Sequence, residues 1–432
     1  MKRRIEADLE AWKDKRNRLP LLLYGARQVG KTHLVREFGR THYDNVAYVN
    51  LETNQLAASY FEGNISPQDI LTNLEAETGE RIVPGRTLII LDEVQSSPRA
   101  LTSLKYFAEQ AGGYHVVAAG SLLGVAVNRE QFSFPVGNVE SVTLHPLDFE
   151  EYLWAAEEDD LSSRIRQGYA EDKPLPEALH ARALSLYREY LVVGGMPRAV
   201  VESVDSGSLL EVPDIQRGIL NDYSADMAKY ATESESVKIR AAFDSIPAQL
   251  AKDNHKFQYK VAQRGGTAAV FGAAVEWLGF AGVAMKCNRL STALMPLAAY
   301  MDLTGFKLYM GDTGLLTMKS GLPMSVVLAK EEVNVGFLGA LTENYVAQAL
   351  TAAGHPLYYW ASDGRAEVDF VLQLEENIVP VEVKAGQHTR SRSLSVYMDE
   401  YRPEYAIRLS TKNFGLDNRI KSVPLYAAYC IR

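Results

Sequence analysis

The stretch "LPLLLYGARQVGKTHLVREFG", residues 19–39, constrains the fold more than any other part of the chain. It runs from an apolar segment through a glycine-bearing loop into an amphipathic segment, and Gly25, Gly30, Lys31 and Thr32 fit G-x-x-x-x-G-K-[ST]. Glycines at this spacing let backbone N–H groups close around phosphate oxygens while the following helix points its positive end at them. The candidate phosphate loop is therefore Gly25, Ala26, Arg27, Gln28, Val29 and Gly30, with Lys31, Thr32 and His33 opening the helix. Lys31 is placed to contact the β- and γ-phosphates, and Thr32 to hold magnesium.

Downstream, "TLIILDEVQ" reads as a buried strand ending in adjacent acids. Asp92 there would hold the metal through water, and Glu93 is placed to orient the attacking water. Between the two motifs "VAYVNLE" is strand-like, and the order implies a site for ATP with Mg2+. "YHVVAAGSLLG" reads as a further buried strand that places Ser121 beside the phosphates, and "VESVTLHPLDFEEYL" as a strand followed by a helix. Strands alternating with helices predict a parallel sheet whose carboxyl ends carry the ligand, which makes the chain α/β. Arg27 and Arg129 are candidates to supply transition-state charge; each reads equally as a surface arginine.

The totals exclude several other classes. A chain of 432 residues suggests two to four domains, and 47% hydrophobic with 23% charged residues is ordinary for a soluble globular protein. Fifty-four acidic against 45 basic side chains give −9, which argues against indiscriminate polyanion binding by the whole surface and leaves room for a local basic patch. Cys287 and Cys430 are the two cysteines, without a CxxC pair, so neither a disulfide framework nor a zinc site is expected and a reducing cytoplasm fits. The N-terminal "MKRRIEADLEAWKDKRNR" lacks the apolar run of a secretory signal. The most membrane-like stretch, 268–285, carries Glu276 at its centre; Val270, Phe271, Ala274, Val275 and Leu278 recur at helical spacing, predicting a helix packed on one face and ended near Gly279 rather than a membrane span.

From about residue 155 the pattern turns helical, after an acidic "EEDD" at 157–160 that reads as a solvated loop. "YLVVGGMPRAV" breaks a helix with Gly194, Gly195 and Pro197. One reading is a tight turn that needs permissive backbone; the other has the turn close over the nucleotide, with Pro197 and Arg198 at the phosphates. The helical patterns at 219–230 and 239–254, "KFQYKVAQRG" and the 268–279 helix suggest a small helix-turn-helix, winged-helix-like module. Its second helix is nearly devoid of Lys and Arg, which favours packing over base readout.

In "AEVDFVLQLEENIVPVEVKAG" two apolar strands flank "EEN". With Glu376-Asn377 as a two-residue hairpin loop, Asp369 falls opposite Lys384 and Val371 opposite Glu382, which brings Asp369, Glu382 and Lys384 to one end of one face. Two carboxylates and a lysine so grouped can hold a divalent metal and orient the water that attacks a phosphodiester; a salt-bridged hairpin would look the same in sequence. Glu343, on the helical "GALTENYVAQALTAAG", is the candidate further acid of that metal set. Residues 306–432 hold 13 basic and 14 acidic side chains, so a DNA path there is confined to a local basic strip, with Arg390, Arg392, Lys412, Arg419 and Lys421 as candidates.

These motifs, with "SFPVGNVESVTLHPLDFEEYL", "FKLYMGDTGLL", "LTENYVAQAL" and "VEVKAG", make the chain resemble prokaryotic AAA-type (AAA+/STAND-like) P-loop ATPases with a C-terminal domain of unknown function similar to the PD-(D/E)xK nuclease fold. The resemblance implies an ATPase core over 1–155, a helical lid over 156–232, a winged-helix-like segment over 233–305 and an α/β nuclease-like domain over 306–432. Relatives often carry Lys or Arg where this chain has Asn138. The expected function is Mg-dependent ATP binding and hydrolysis by a cytoplasmic protein acting on DNA; the alternative is a non-catalytic, ATP-bound switch that recognises a protein partner. A second copy of the chain is a further candidate partner, and a membrane is not.

Overall fold

The computed structural model describes residues 1–121, 135, 137–252, 255–329, 336–362, 366–386 and 392–432. Two compact units emerge: Lys2–His145 with Phe280–Gly282, and Met1 with Pro146–Gly279 and Val283–Arg432.

In the first unit, β1 (Leu21–Tyr24), β2 (Asn45–Asn50), β3 (Thr87–Asp92), β4 (His115–Ala119) and β5 (Glu140–Thr143) form one sheet in the order β2-β3-β4-β1-β5. Every adjacent pair is parallel. The apolar runs explain the arrangement: β3 and β4 are buried at every residue, as strands covered on both faces must be, whereas β5 at the sheet edge alternates half-buried with exposed. Parallel neighbours need crossovers, and helices Lys31–His42, Pro67–Thr78 and Pro98–Gln110 supply them. The last two begin on a serine with proline following; the hydroxyls of Ser66 and Ser97 accept from the N–H groups of Asp69 and Ala100. All five strands point the same way, so the segments leaving β1, β3 and β4 emerge along one edge of the sheet.

The second unit begins helical and ends mixed. Of the acidic run expected as a loop, Glu157 and Glu158 do lie outside the helices, but Asp159 and Asp160 open helix Asp159–Glu171, where carboxylates in the first turn complement the helix dipole. Helix Ala268–Phe280 ends as expected, but Val270 is exposed and not on the packed face. Among the described residues no helix is long and apolar enough to cross a membrane. Next, β6 (Ala284–Leu290), β7 (Met301–Met310), β8 (Tyr358–Ala361) and β9 (Glu367–Val368) make a four-stranded sheet in the order β7-β6-β8-β9. A five-stranded sheet follows, β10 (Phe370–Leu374), β11 (Asn377–Val383), β12 (Ala406–Ser410), β13 (Gly415–Asp417) and β14 (Ile420–Pro424), ordered β10-β11-β12-β14-β13. The chain passes from one sheet to the other at Asp369, between β9 and β10. Helix Phe337–Ala352 is buried from Ala340 through Leu350.

The double-glycine turn is stitched by the "GDTGLL" segment. Gly194 adopts φ 72° and ψ −164°, open essentially to glycine alone, and Asp312 accepts the Gly195 N–H at 2.6 Å and the Leu315 N–H at 2.9 Å. Gly195 in turn accepts from Leu147 N–H at 2.7 Å, so close that a Cβ on Gly195 would fall 2.0 Å from the Leu147 carbonyl oxygen. Burial pushes the Asp312 carboxyl up to about 6, against the pull of the three backbone N–H groups it serves.

Two measurements check these packing arguments. Gly195→Ala is expected to cost about 3 kcal/mol or more in unfolding free energy by denaturant titration, because the clash is with backbone and not a flexible side chain. His115, buried in the first unit beside Tyr43, is pushed down to about 4 by burial and by the charges of Arg18 and Lys13. Its folded-state value lies below its unfolded one, so its contribution is complete above about pH 6.5 and is lost as pH falls toward 4. The loss of thermal stability between pH 6.5 and 4 should therefore be shallower in His115→Gln than in wild type.

Candidate functional site

The phosphate loop lies between the end of β1 and helix Lys31–His42. Three of its residues have positive φ: Gly25 at 145°, Gln28 at 65° and Gly30 at 96°. A Cβ at Gly25 would meet the Leu144 carbonyl oxygen at 2.3 Å, so glycine is required there by space as well as by conformation. Lys31 is buried, and its ammonium donates to the carbonyls of Gly25 and Ala26 at 2.8 Å each, curling back into the loop. Ala26 and Val29 are buried and anchor the loop, Arg27 and Gln28 are partly exposed, and His33 is exposed on the first turn of the helix.

The order β3-β4-β1 brings the acidic strand end to this loop. Thr32 donates from its hydroxyl to Asp92 Oδ2 at 2.7 Å. Asp92 is buried, and its other oxygen accepts the Glu93 N–H at 3.0 Å. Glu93 stands in the left-handed region at φ 51°, which turns its carboxylate toward β4; there Oε1 accepts from the Ser121 hydroxyl at 3.1 Å and Oε2 from Gln95 at 2.6 Å. The structure thus brings Lys31, Thr32, Asp92, Glu93 and Ser121 together. Arg129 lies outside the described residues, and Pro197 opens helix Pro197–Ser206 in the second unit.

Three further residues serve the site without a motif to announce them. Tyr48, on β2, donates its hydroxyl to Asp92 Oδ2 at 3.0 Å, with the Arg36 guanidinium 4.9 Å from its ring centre. Burial and the Asp92 carboxylate raise the Tyr48 phenol above its ordinary value, keeping it a donor. Arg3 bonds the Val29 carbonyl at 3.2 Å and the His145 carbonyl at 2.7 Å, bracing the loop from beneath. Gln95 fixes the Glu93 carboxylate. The period-two alternation of "VAYVNLE" puts Tyr48 and Asn50 on one face, which is the signal that would have found Tyr48.

A parallel sheet of this order, with a glycine loop after β1 and a threonine-bound aspartate after β3, defines a P-loop ATPase domain of the AAA type. In agreement, residues 17–153 match the AAA domain family, 184–325 a domain of unknown function (DUF8612) and 338–428 another (DUF4143). No curated protein matches the chain. Among solved structures, the chain is similar to the Walker-type ATPase PABY2304 of Pyrococcus abyssi at 15% identity, covering 73% of this chain and 94% of that one with a TM-score of 0.41. The Aeropyrum pernix ORC1 protein in complex with DNA matches at 14% identity over 76% and 95% with a TM-score of 0.31, and AMPPCP-bound DnaA from Aquifex aeolicus at 14% over 63% and 86% with a TM-score of 0.27. These distant likenesses add nothing to the assignment, which rests on the sheet and the family match.

The C-terminal acids also gather, though not in the expected register. The hairpin loop is Glu375-Glu376, with Leu374 paired to Asn377 and Phe370 to Val381. Glu375 takes the left-handed conformation at φ 52°, releasing Asn377, the stronger turn-former by type, to start β11. That shift puts Val371 opposite Pro380 rather than Glu382, and Asp369 leaves the ladder to accept the Val383 N–H at 2.7 Å. Lys384 reaches Glu382 at 2.5 Å. Glu343 receives Lys307 at 2.8 Å on Oε1, His255 at 2.7 Å on Oε2, and the Tyr309 hydroxyl. Burial favours neutral Glu343, but Lys307 and His255 outweigh it and hold the carboxyl below the usual range. Burial, with Glu343 and Glu382 nearby, drives Asp369 the other way, well above that range. Among the described residues no three His, Cys, Asp or Glu side chains are disposed to hold a metal ion, so Glu343, Asp369 and Glu382 do not form the expected ligand set: Glu343 is spent on ammonium, imidazole and phenol groups.

Tyr48→Phe, which removes one donor to Asp92 without removing the ring, is expected to raise the half-saturating magnesium concentration for nucleotide-dependent turnover about tenfold while leaving the melting temperature nearly unchanged.

Proposed function

We propose that this protein binds ATP with magnesium and hydrolyses it, and that the nucleotide state switches the arrangement of its C-terminal half. The observation that carries the reading is the 2.7 Å bond from Thr32 to Asp92 beside a loop whose lysine is turned inward. Thr32 and Asp92 suit a magnesium ion, a hard cation with oxygen ligands, which would supply charge neutralisation at the phosphates when bound. Lys31 would exchange its two loop carbonyls for phosphate oxygens, a trade that opens and re-forms the loop around the triphosphate. Glu93 is held by Ser121 and Gln95, and with a triphosphate in the loop its carboxylate would orient the attacking water; Ser121 would couple that orientation to β4.

The partner of the C-terminal half is proposed to be DNA, on the resemblance of residues 306–432 to a nuclease fold. Of the proposed basic strip, Arg392, Lys412 and Arg419 are exposed, while Lys421 is committed to Asp172 at 2.9 Å and to the Tyr169 ring; Arg390 lies outside the described residues. A protein partner is the second reading, favoured by an apolar group at the connection between β6 and β7, where Leu294, Met295, Met301 and Leu303 are all exposed and the last is 79% so.

Phosphate release measured with and without DNA tests both. Wild type is expected to turn over ATP, with Lys31→Ala and Glu93→Gln lowering the rate about a hundredfold each. Glu93→Gln should retain nucleotide binding, which Lys31→Ala weakens. Wild-type turnover no higher than that of Lys31→Ala under every condition refutes the ATPase; turnover unaffected by DNA, with no shift in DNA anisotropy, moves the partner assignment to protein.

A further inference from the structure

The acidic centre of the second unit is served by cations of the chain itself, and the most buried of these comes from outside the acidic motif. Lys307, on β7, has no exposed surface. Its ammonium lies 2.8 Å from Glu343 and 2.7 Å from Glu367, and 5.0 Å from the Tyr359 ring centre. These contacts join β7 to helix Phe337–Ala352 and to β9, immediately before Asp369. The remaining oxygen of Glu343 is bonded by His255, so a dication at that carboxylate would have to sit beside an ammonium it repels and displace a hydrogen bond. Lys384 neutralises Glu382 in the same way from two residues further along, just past the end of β11.

We propose that Lys307 is a built-in counter-ion occupying the place a divalent metal would take in this cluster, so that the second unit holds its acidic centre together without metal. Lys307 and His255 fall within the segment 184–325, while Glu343, Glu367, Asp369 and Glu382 fall within 338–428. The cation is thus lent by one matched segment to the carboxylates of the next, and the pair locks the two together in the interior. It follows that metal-activated hydrolysis of phosphodiesters is not an activity of this centre. Among the described residues four carboxyl groups gather about two ammonium groups and the His255 ring, and Glu382 Oε2 is buried without a hydrogen-bond partner. Removing the Lys307 charge therefore leaves a cavity of unbalanced acids, which a divalent cation should fill.

The test is metal uptake by the full-length, nucleotide-free protein, with free Mn2+ followed by electron paramagnetic resonance in an Asp92→Asn background that takes the P-loop carboxylate out of the count. With Lys307 in place, no Mn2+ should bind more tightly than about 1 mM. Adding Lys307→Met should create one Mn2+ site about tenfold tighter or better, abolished again by Glu343→Gln, whereas Lys307→Arg, which keeps the charge, should gain none. A site already present with Lys307 intact and removed by Asp369→Asn would overturn the proposal, as would a folded Lys307→Met protein that takes up no Mn2+. If Lys307→Met does not fold, the titration with Lys307 intact decides alone: an Asp369-dependent site refutes, and none upholds. None of these readouts depends on ATP turnover.

Discussion

The hydrogen bond from Thr32 to Asp92 is the contact on which the first unit is organised. It ties the first turn of a helix to the end of a strand 60 residues further on, and it exists only because β4 sits between β1 and β3. In that order the loop after β1, the acids after β3 and Ser121 after β4 emerge at one sheet edge. The contact is charge-assisted and largely shielded by the burial of Asp92, so it is strong enough to set side-chain direction. Tyr48 adds a second donor to the Asp92 oxygen that Thr32 uses, the Glu93 N–H takes the other oxygen, and the left-handed Glu93 is the backbone cost of turning one acid toward Thr32 and the next toward β4.

The second unit solves a different problem, that of keeping several carboxylates out of water. Its acids collect where the chain leaves the four-stranded sheet for the five-stranded one, and the ladder breaks at Asp369. Ionised groups so placed demand compensation, and a fully buried lysine is tolerated only when carboxylates surround it. Burial by itself would push the Lys307 ammonium toward neutrality; Glu343, Glu367 and Asp369 reverse that and hold it charged. Loss of either side of such a group leaves the other uncompensated, which is why the cluster can act as a lock between segments.

Sequence reading reached the sheet and the phosphate loop because their signals are local. A strand buried on both faces has to be apolar throughout, as "TLIIL" is, and a loop that must admit phosphate oxygens has to place Gly25 and Gly30 where side chains would collide. It missed Tyr48, Arg3 and Lys307, each of which acts through a partner between 26 and 44 residues away. It also placed the hairpin turn one position late. Asn377 is the better turn residue by type, but a register is decided by which side chains both sheets can bury, and Glu375 accepted a positive φ to satisfy that.

What the sequence by itself determined is therefore the set of positions where only one residue type is physically admissible: the glycines of the loop, the apolar strands, and the acids at their ends. What only the tertiary structure decided is how the charges pair. Lys307 belongs to a segment whose sequence assigns it no partner, and Glu343 to a helix that could have turned its carboxylate to a metal. Coulomb energy depends on distance in space and on burial, neither of which is written along the chain, so the choice between an ammonium and a dication as the partner of these acids was settled by packing.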